Sequence, residues 1–282
     1  MNVLLTGATG YIGGTVLRTL REHGHQVRAV VRGDQQAKTA TEAGAEAVTG
    51  DVTDVLWLAG QLAGVDGAIH LATLPPVGDD AVLDAVADGF QGTTKPFVYT
   101  SGLWAWGDNP DITEDSPLRP TEISVWRLPR QERVLGSGLR ASVIAPAPVY
   151  GHGRGLAGWL FTYGPRTDDG ALRLVGPGTQ HWASVHVEDL ADLYVAALER
   201  APGGELYIGA SGVSPTVREM GLAAAGPDGS VVAEEVEETR ARLGAALADA
   251  LLLDQQADGG RARDRLGWRP SRPTVLDELG SR

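Results

Sequence analysis

The sequence predicts an α/β protein, a doubly wound parallel sheet of the Rossmann kind with a small C-terminal substrate lobe. Short apolar segments rich in Val, Ala and Leu alternate with helical stretches through the first half of the 282 residues. Such strands, joined by helical crossovers, are typical of a parallel sheet that is covered on both faces. A glycine-rich loop directly after the first apolar segment is the second observation, because dinucleotide-binding sheets begin in this way.

The first half is predicted to alternate between strand and helix. Strands are expected at residues 2–6, 26–31, 46–48, 67–71, 97–101 and 139–145. Helices between them are expected at residues 11–23, 34–43, 54–62, 79–88 and 121–135. Ligands of doubly wound sheets bind at the carboxyl ends of the strands, so we expect the functional site at that edge.

After Pro146 the alternation stops in a Gly/Pro-rich segment. Later elements are predicted as a helix at 187–200, a strand at 206–209 and a charged helix at 234–253. We therefore expect a dinucleotide-binding Rossmann domain over residues 1–150. Residues 151–282 are expected to form mainly a small substrate-binding lobe, with segments that return to the sheet.

Composition limits the class of partner. The chain has 43% hydrophobic and 21% charged residues and a formal net charge of -12 at pH 7. This charge disfavours attraction to phosphate backbones and anionic membranes, so we expect no nucleic-acid and no membrane partner. No apolar run reaches the roughly 18 residues of a membrane span, and Met1 leads into an apolar strand rather than a signal peptide. We expect a cytoplasmic protein.

Missing residue types exclude several mechanisms. The lysines are Lys38 and Lys95, and neither follows a glycine as a Walker A loop requires. Neither stands four residues after a tyrosine, so a Tyr-x-x-x-Lys dyad is absent from the sequence. There is no cysteine, which excludes thiolate nucleophiles, disulfides and cysteine-ligated metals. No His, Asp or Glu set has metal-ligand spacing, so no metal is expected.

The loop T-G-A-T-G-Y-I-G at residues 6–13 lies between the first strand and the first helix. Its first glycine permits a tight turn, its second lets a pyrophosphate approach the backbone, and its third allows the helix to pack close to the sheet. Free N–H groups and the helix dipole then bind the phosphates. The alternative is a turn with a structural role only. The loop residues predicted to bind the cofactor are Gly7, Thr9, Gly10, Tyr11, Ile12 and Gly13.

The end of the second strand predicts the choice of cofactor. An acidic residue there would hold the ribose hydroxyls of NAD, whereas this chain has Arg32. A guanidinium binds phosphate through paired donors, which suits the 2′-phosphate of NADP. We therefore predict NADP (NADPH) in preference to NAD. The alternative is a solvated Arg32 that pairs with Asp34.

Further motifs resemble those of the extended short-chain dehydrogenase/reductase superfamily, in its NAD-dependent epimerase/dehydratase-like branch. Besides the glycine loop they are D-V-T-D at 51–54, I-H-L-A at 69–72, Y-T-S-G at 99–102, P-A-P-V-Y-G at 146–151, V-H-V-E-D-L-A at 185–191 and L-G-W-R-P at 266–270. The resemblance covers nearly the whole chain and implies the same fold. It implies further cofactor contacts by Asp51, Val52, Leu71, Ala72, Thr73, Arg130, Pro146 and Val149.

One motif departs from this superfamily. Its active-site helix carries Y-x-x-x-K, in which the tyrosine moves a proton and the lysine holds the nicotinamide ribose, whereas this chain has Trp126 and Arg130 at that spacing. An indole N–H donates a hydrogen bond but does not titrate, so Trp126 cannot act as an acid or base. Arg130 keeps its charge and could hold ribose hydroxyls or stabilise an oxyanion. The motif predicts an atypical active site that binds cofactor without the usual proton relay.

Three further residues complete the predicted catalytic set. Ser101 stands one residue before Gly102, which occupies the superfamily's usual Ser/Thr position, so its hydroxyl either reaches the substrate or caps the strand end. Tyr150 and His152 flank the predicted nicotinamide site and are the remaining titratable candidates, with packing and a solvated loop as their alternatives. The predicted catalytic residues are Ser101, Trp126, Arg130, Tyr150 and His152.

Tryptophans predict the character of the substrate. Five of them are expected either to line an aromatic pocket or to fill space between the lobes: Trp104, Trp106, Trp126, Trp159 and Trp182. The pocket suits a small-molecule substrate of apolar or aromatic character.

Together these features predict an NADPH-dependent reductase of a small apolar or aromatic carbonyl, imine or enone, with a proton from water, Tyr150 or His152. A non-redox cyclase or isomerase that reuses the pocket and a non-catalytic NADP-sensing protein are the alternatives. A homodimer through the helix predicted at 121–135 is a further hypothesis.

Overall fold

The computed structural model describes residues 1–281. Its strands are β1 (Asn2–Thr6), β2 (Gln26–Val31), β3 (Glu46–Thr49), β4 (Gly67–His70), β5 (Phe97–Thr100), β6 (Asn109–Ile112), β7 (Ala141–Pro146), β8 (Val149–Gly151), β9 (Leu172–Arg173), β10 (Val185–His186), β11 (Glu205–Gly209), β12 (Val231–Val232) and β13 (Gln255–Ala257).

The α-helices lie between and after these strands. They are α1 (Tyr11–Glu22), α2 (Asp34–Glu42), α3 (Val55–Ala63), α4 (Pro76–Phe90), α5 (Leu128–Leu135), α6 (Gly155–Ala157), α7 (Val187–Arg200), α8 (Val217–Ala225), α9 (Val236–Leu243), α10 (Ala245–Leu251), α11 (Gly260–Leu266) and α12 (Val275–Gly280). Leu103–Trp106 and Val125–Arg127 form 3-10 turns, and Gly158–Thr162 winds as a π-helix. Within residues 1–281, no helix is long and apolar enough to cross a membrane.

Seven strands within residues 1–281 form one parallel sheet in the order β11-β7-β5-β4-β1-β2-β3. Strand order reverses between β1 and β4, which is where ligands of such sheets bind. Thr6 lies opposite His70 at this point, so the two strands end side by side. The doubly wound fold class predicted from the sequence is confirmed.

Helices cover the sheet, which is why the middle residues of its central strands are apolar. Leu5, Ile69 and Val98 are fully buried in three neighbouring strands. The helices α3 and α4 pack on one another, as do α1 and α7. The strand ends are therefore fixed by a continuous core beneath the site.

Part of the second half returns to the sheet. The helix α7 packs against α1, and β11 pairs in parallel with β7. A separate apolar cluster in this half includes Phe161, Leu174 and Trp182. The helices α8 and α12 pack together there. The second half is thus shared between the sheet and a smaller lobe.

The helix predicted at 121–135 is wrong in its first half. It begins only at Leu128, after the 3-10 turn at Val125–Arg127. Pro129 lies in its first turn, where a missing N–H is tolerated, but the ring would clash with a helix arriving from upstream. The residues before it therefore remain loop and reach the cleft.

Two other predicted helices also change at their bounds. The helix predicted at 234–253 is divided into α9 and α10, because Gly244 adopts a positive φ of 80° between them. The helix predicted from residue 79 begins at Pro76, since proline is well suited to a first turn.

Candidate functional site

A cleft follows the carboxyl ends of the strands and contains two cavities, of about 340 and about 500 Å3. Both are lined by Leu71, Ala72 and Thr73, which we call the shared wall. The smaller one, the loop cavity, is also lined by Gly7, Thr9, Gly10, Val30, Val31, Arg32, Gln36, Val52 and Leu74. The larger one, the apolar cavity, is also lined by Ile12, Thr100, Ser101, Gly102, Leu103, Trp104, Ile123, Ser124, Trp126, Arg127, Pro146, Ala147, Pro148, Val149 and Leu156.

The glycine loop has the geometry of a phosphate-binding turn. Gly7 has a φ of 73°, and a Cβ atom on it would lie 2.7 Å from the carbonyl carbon of Leu71. A Cβ atom on Gly13 would lie 2.0 Å from the carbonyl oxygen of Gly7, so only glycine allows α1 to pack this close. Gly10 is the N-cap of α1, and the first N–H groups of that helix have no partners within it. Backbone donors are thus available to an anion in the loop cavity.

Arg32 lines the loop cavity at the end of β2. Its backbone N–H donates to Gln36 Oε1 at 2.9 Å, and its guanidinium makes no ion pair with Asp34 or any other carboxylate of residues 1–281. Asp51 lies nearby, where hydrogen bonds from the backbone N–H and the hydroxyl of Thr53 lower the pKa of its carboxyl, with a smaller contribution from Arg32. The guanidinium of Arg32 is therefore available to a ligand.

A buried hydrogen-bond chain, which sequence reasoning missed, supports the shared wall from below. Thr6 Oγ1 lies 2.7 Å from His70 Nδ1 and accepts two backbone N–H groups of the shared wall, at 3.2 and 3.3 Å. His70 Nε2 lies 3.3 Å from Asp79 Oδ1. Tyr99 donates to Asp79 Oδ2 at 2.7 Å, and burial raises the pKa of its phenol. The only sequence signal was the polar residue that ends each of β1 and β4.

Trp126 lines the apolar cavity, but Arg130 does not. Arg130 donates from Nη1 to the Trp126 carbonyl at 2.6 Å and from Nε to the Pro76 carbonyl at 3.1 Å, and Nη2 pairs with Asp80. These contacts hold α5 against α4. The indole N–H of Trp126 donates to the Ile123 carbonyl at 3.1 Å. The predicted role of Arg130 as a ribose or oxyanion ligand has no support in this geometry, because its donors are committed elsewhere.

Arg127, which sequence reasoning missed, lines the apolar cavity instead. Its Nη1 donates to the Thr100 carbonyl at 3.3 Å, and its Cζ lies 4.3 Å from the centroid of the Trp126 ring. The motif spacing predicts site residues four apart on a helix, which are Trp126 and Arg130. The 3-10 turn before Pro129 changes that geometry and directs the neighbouring arginine to the cleft.

Ser101 reaches the apolar cavity. Its hydroxyl donates to Gln131 Oε1 at 2.8 Å, and both residues are buried. Sequence reasoning missed Gln131. The feature that could have indicated it is its position directly after Arg130 on α5. The adjacent Thr100 hydroxyl donates to the His70 carbonyl at 2.7 Å. The hydroxyl proton of Ser101 is therefore used within the protein, and its oxygen remains an acceptor.

The structure does not bring Tyr150 or His152 into the cleft. The Tyr150 hydroxyl donates to the Pro273 carbonyl at 2.8 Å, and burial raises the pKa of its phenol. His152 lies on an exposed turn with a positive φ of 55°, and its Nε2 lies 3.1 Å from Glu188 Oε1. Tyr150 is thus a packing residue of the smaller lobe, and His152 a surface residue.

Tyr11 connects the glycine loop to that lobe. Its hydroxyl donates to the Gly151 carbonyl at 2.9 Å, and the guanidinium carbon of Arg154 lies 4.8 Å from its ring centroid. Burial raises the pKa of the Tyr11 phenol. Ile12 and Val149, which are close to this junction in sequence, line the apolar cavity.

The five tryptophans divide between the two roles that the sequence left open. Trp104 and Trp126 line the apolar cavity. Trp106 and Trp182 are buried and pack in the two apolar clusters instead. Trp159 is 49% exposed on the π-helix and lies outside the cavity lining. The pocket is thus lined by two tryptophans together with aliphatic, hydroxyl and arginine side chains.

A doubly wound sheet with a glycine loop at its switch point and a cleft along its carboxyl edge defines the Rossmann class of nucleotide-binding folds. Residues 1–99 match the NmrA-like family. The chain is 27% identical to a UDP-glucose 4-epimerase of Streptomyces lividans, over 95% of this chain and 91% of that protein. It is 28% identical to a 3-diazoavenalumate denitrifying reductase of Streptomyces sp, over 99% of each.

Solved structures agree in fold. A human epimerase family protein, SDR39U1 (isoform 2) with NADPH, superposes with a TM-score of 0.75 at 22% identity, over 100% of this chain and 98% of that one. The resemblance to the epimerase/dehydratase branch of the extended short-chain dehydrogenase/reductase superfamily is confirmed by these relatives and neighbours. Within residues 1–281, no group of three or more His, Asp and Glu residues is placed to hold a metal ion.

Proposed function

We propose that the protein is an NADPH-dependent reductase of a small apolar or aromatic carbonyl, imine or enone. The observation that carries the proposal is the shared wall, which joins a phosphate-binding loop cavity to an apolar cavity of about 500 Å3. The denitrifying reductase among the relatives supports an oxidoreductase, and the human structure with NADPH supports a nicotinamide cofactor.

The cleft fits a dinucleotide because glycines leave the space that its phosphates need. Gly7, Gly10 and Gly13 would hold the pyrophosphate on backbone donors, and Arg32 the 2′-phosphate. Asp51 and Val52 would contact the adenine. Residues of the apolar cavity would flank the nicotinamide: Ile12, Pro146 and Val149.

When bound, NADPH would supply the hydride. The protein's own part is to exclude water and orient the substrate, which the apolar lining performs. None of the residues that line the apolar cavity is a His, Tyr, Asp, Glu, Lys or Cys. The proton that completes the reduction therefore comes from water in this proposal, rather than from Tyr150 or His152.

The same lack of a titrating side chain favours a second candidate, a non-redox cyclase or isomerase. Such an enzyme would use the apolar cavity to fold or strain its substrate, with the dinucleotide as a structural part of the wall. Ser101 and the shared wall would keep the positions described above.

Stereospecifically deuterated NADPH distinguishes the candidates. The full chain is incubated with each deuterated form and a panel of apolar and aromatic carbonyl, imine and enone compounds. The deuterium content of the products is then measured by mass spectrometry. We expect deuterium from one form only. Conversion without deuterium would support the cyclase or isomerase instead. Tight NADPH binding with no conversion would contradict both and support an NADP-sensing protein.

A further inference from the structure

Three arginines near the start of α5 differ in what they contact. Arg130 and Arg133 each pair with an aspartate of α4. Arg127 is half-buried, and no carboxylate of residues 1–281 pairs with it. A partly buried charge without a counterion is costly, and the chain has 36 acidic residues that could have supplied one. The uncompensated charge of Arg127 therefore points to an anion from outside the protein.

Arg127 also supplies the only charged donors among the residues that line the apolar cavity. The hydroxyls of Thr100, Ser101 and Ser124 and the indole N–H of Trp126 are already hydrogen bonded within the protein, and the indole N–H of the half-buried Trp104 is an uncharged donor. Thr73, the exposed residue of the shared wall, is uncharged. Arg127 donates only from Nη1, to the Thr100 carbonyl, so its Nε and Nη2 have no partner within residues 1–281.

The contact with Trp126 gives this guanidinium a fixed place. Its Cζ lies 4.3 Å from the indole centroid, a distance typical of a cation–π contact. Stacking uses the face of a guanidinium and leaves the donors on its edge for a planar partner. Two such donors match the two oxygens of a carboxylate. Apolar groups of Leu103, Trp104 and Ile123 line the same cavity and suit a hydrocarbon body attached to that carboxylate.

We propose that Arg127 binds the carboxylate of the substrate, which is a small apolar or aromatic acid whose reducible carbonyl, imine or enone lies in the same cavity. The proposal deepens the reductase function and rests on it for turnover, but the binding of an acid can be measured without turnover. Arg32 would then bind the 2′-phosphate of the cofactor at one end of the cleft, and Arg127 would bind the substrate carboxylate at the other end.

The experiment compares trans-cinnamate with trans-cinnamamide, which share a shape and differ in charge. Isothermal titration calorimetry is run on the full chain saturated with NADP+. We expect cinnamate to bind about tenfold or more tightly than the amide, the size of a charge-assisted hydrogen bond. This preference should be lost in Arg127→Met and kept in Arg133→Met, the matched control on the adjoining helix α5. Arg127→Lys should keep part of it, because lysine retains the charge without the paired donors.

Several results would overturn the proposal. These are equal affinity for the two compounds in the unmodified protein, no measurable binding of either, or a preference that survives Arg127→Met. A loss of NADPH affinity in Arg127→Met as large as the loss for cinnamate would assign Arg127 to the cofactor instead. Thermal unfolding of each variant separates these outcomes from misfolding, and Arg127→Lys provides the second test. If deuterium transfer fails but the preference for cinnamate is retained, the reductase function is contradicted and the carboxylate site is not.

Discussion

The two ends of the cleft are built in different ways. The loop cavity is lined by the glycine loop between β1 and α1, by the end of β2 and by the shared wall after β4, with Arg32 as its charged side chain. The apolar cavity is lined by side chains from short segments that are distant in sequence, including Trp104, Arg127 and Leu156. Backbone geometry constrains the first end tightly, whereas loop side chains determine the second. The fold thus defines the loop cavity, whereas the chemistry at the other end depends on side chains that the fold leaves free to vary.

The largest expected effect comes from breaking the backbone geometry of the loop cavity. In Gly13→Ala, the new Cβ would lie 2.0 Å from the Gly7 carbonyl oxygen, so α1 and the loop must separate. We expect NADPH affinity to fall by at least about tenfold and the free energy of unfolding by roughly 1–3 kcal/mol, measured by calorimetry and urea denaturation. Gly14→Ala is the control, because its Cβ would make an ordinary contact of 3.6 Å. Unchanged NADPH binding in Gly13→Ala would contradict this account of the loop.

A smaller effect is expected from the charged side chain of the same end. Arg32→Asp should weaken NADPH by about 10- to 100-fold, since it replaces a charge-assisted contact to the 2′-phosphate with repulsion. NADH, which lacks that phosphate, should change little. Lys38→Asp makes the same charge change on the exposed part of α2 and serves as the control. Equal losses for NADH and NADPH would exclude Arg32 as the phosphate ligand.

The smallest effect on activity is expected at Tyr150. Because its hydroxyl donates to the Pro273 carbonyl outside the cleft, Tyr150→Phe should leave the turnover rate within about twofold at every pH from 6 to 9, while stability falls by about 1 kcal/mol. A lost limb in its pH–rate profile would instead make Tyr150 a proton donor.

The pKa of Tyr150 also predicts a stability effect at high pH. Burial raises this pKa in the folded state, so the stabilisation is complete below about pH 10, where the unfolded phenol ionises, and is lost as pH rises further. Denaturation at pH 9 and pH 11 should show a smaller loss in Tyr150→Phe than in the unmodified protein. Tyr11→Phe is a useful comparison, because the pKa of Tyr11 is raised by burial as well.

Local patterns predicted much of the cofactor end. The glycine loop, β1, β2 and α7 lie where apolar periodicity and turn residues indicated. These signals are local, so one sequence is enough to find them. The network of His70, Asp79 and Tyr99 was missed because its members lie on three separate elements and meet only after the sheet has formed.

The substrate end was predicted less well, for a physical reason at Pro129. Motif spacing assumed a continuous helix through Trp126 and Arg130, with both side chains on one face. Because the helix starts at Leu128, Trp126 lies on a 3-10 turn, and Arg127 rather than Arg130 lines the cleft. Tyr150 was a candidate by its place in sequence, but the Pro273 carbonyl, 123 residues later, takes its hydroxyl.

The shared wall has a consequence for the order of events in a turnover. Leu71, Ala72 and Thr73 form part of both cavities, and Thr6 ties their backbone to the end of β1. A dinucleotide in the loop cavity would complete one side of the apolar cavity, so the second ligand meets a finished pocket only after the first has bound. We therefore expect compulsory-order kinetics, with the dinucleotide first to bind and last to leave.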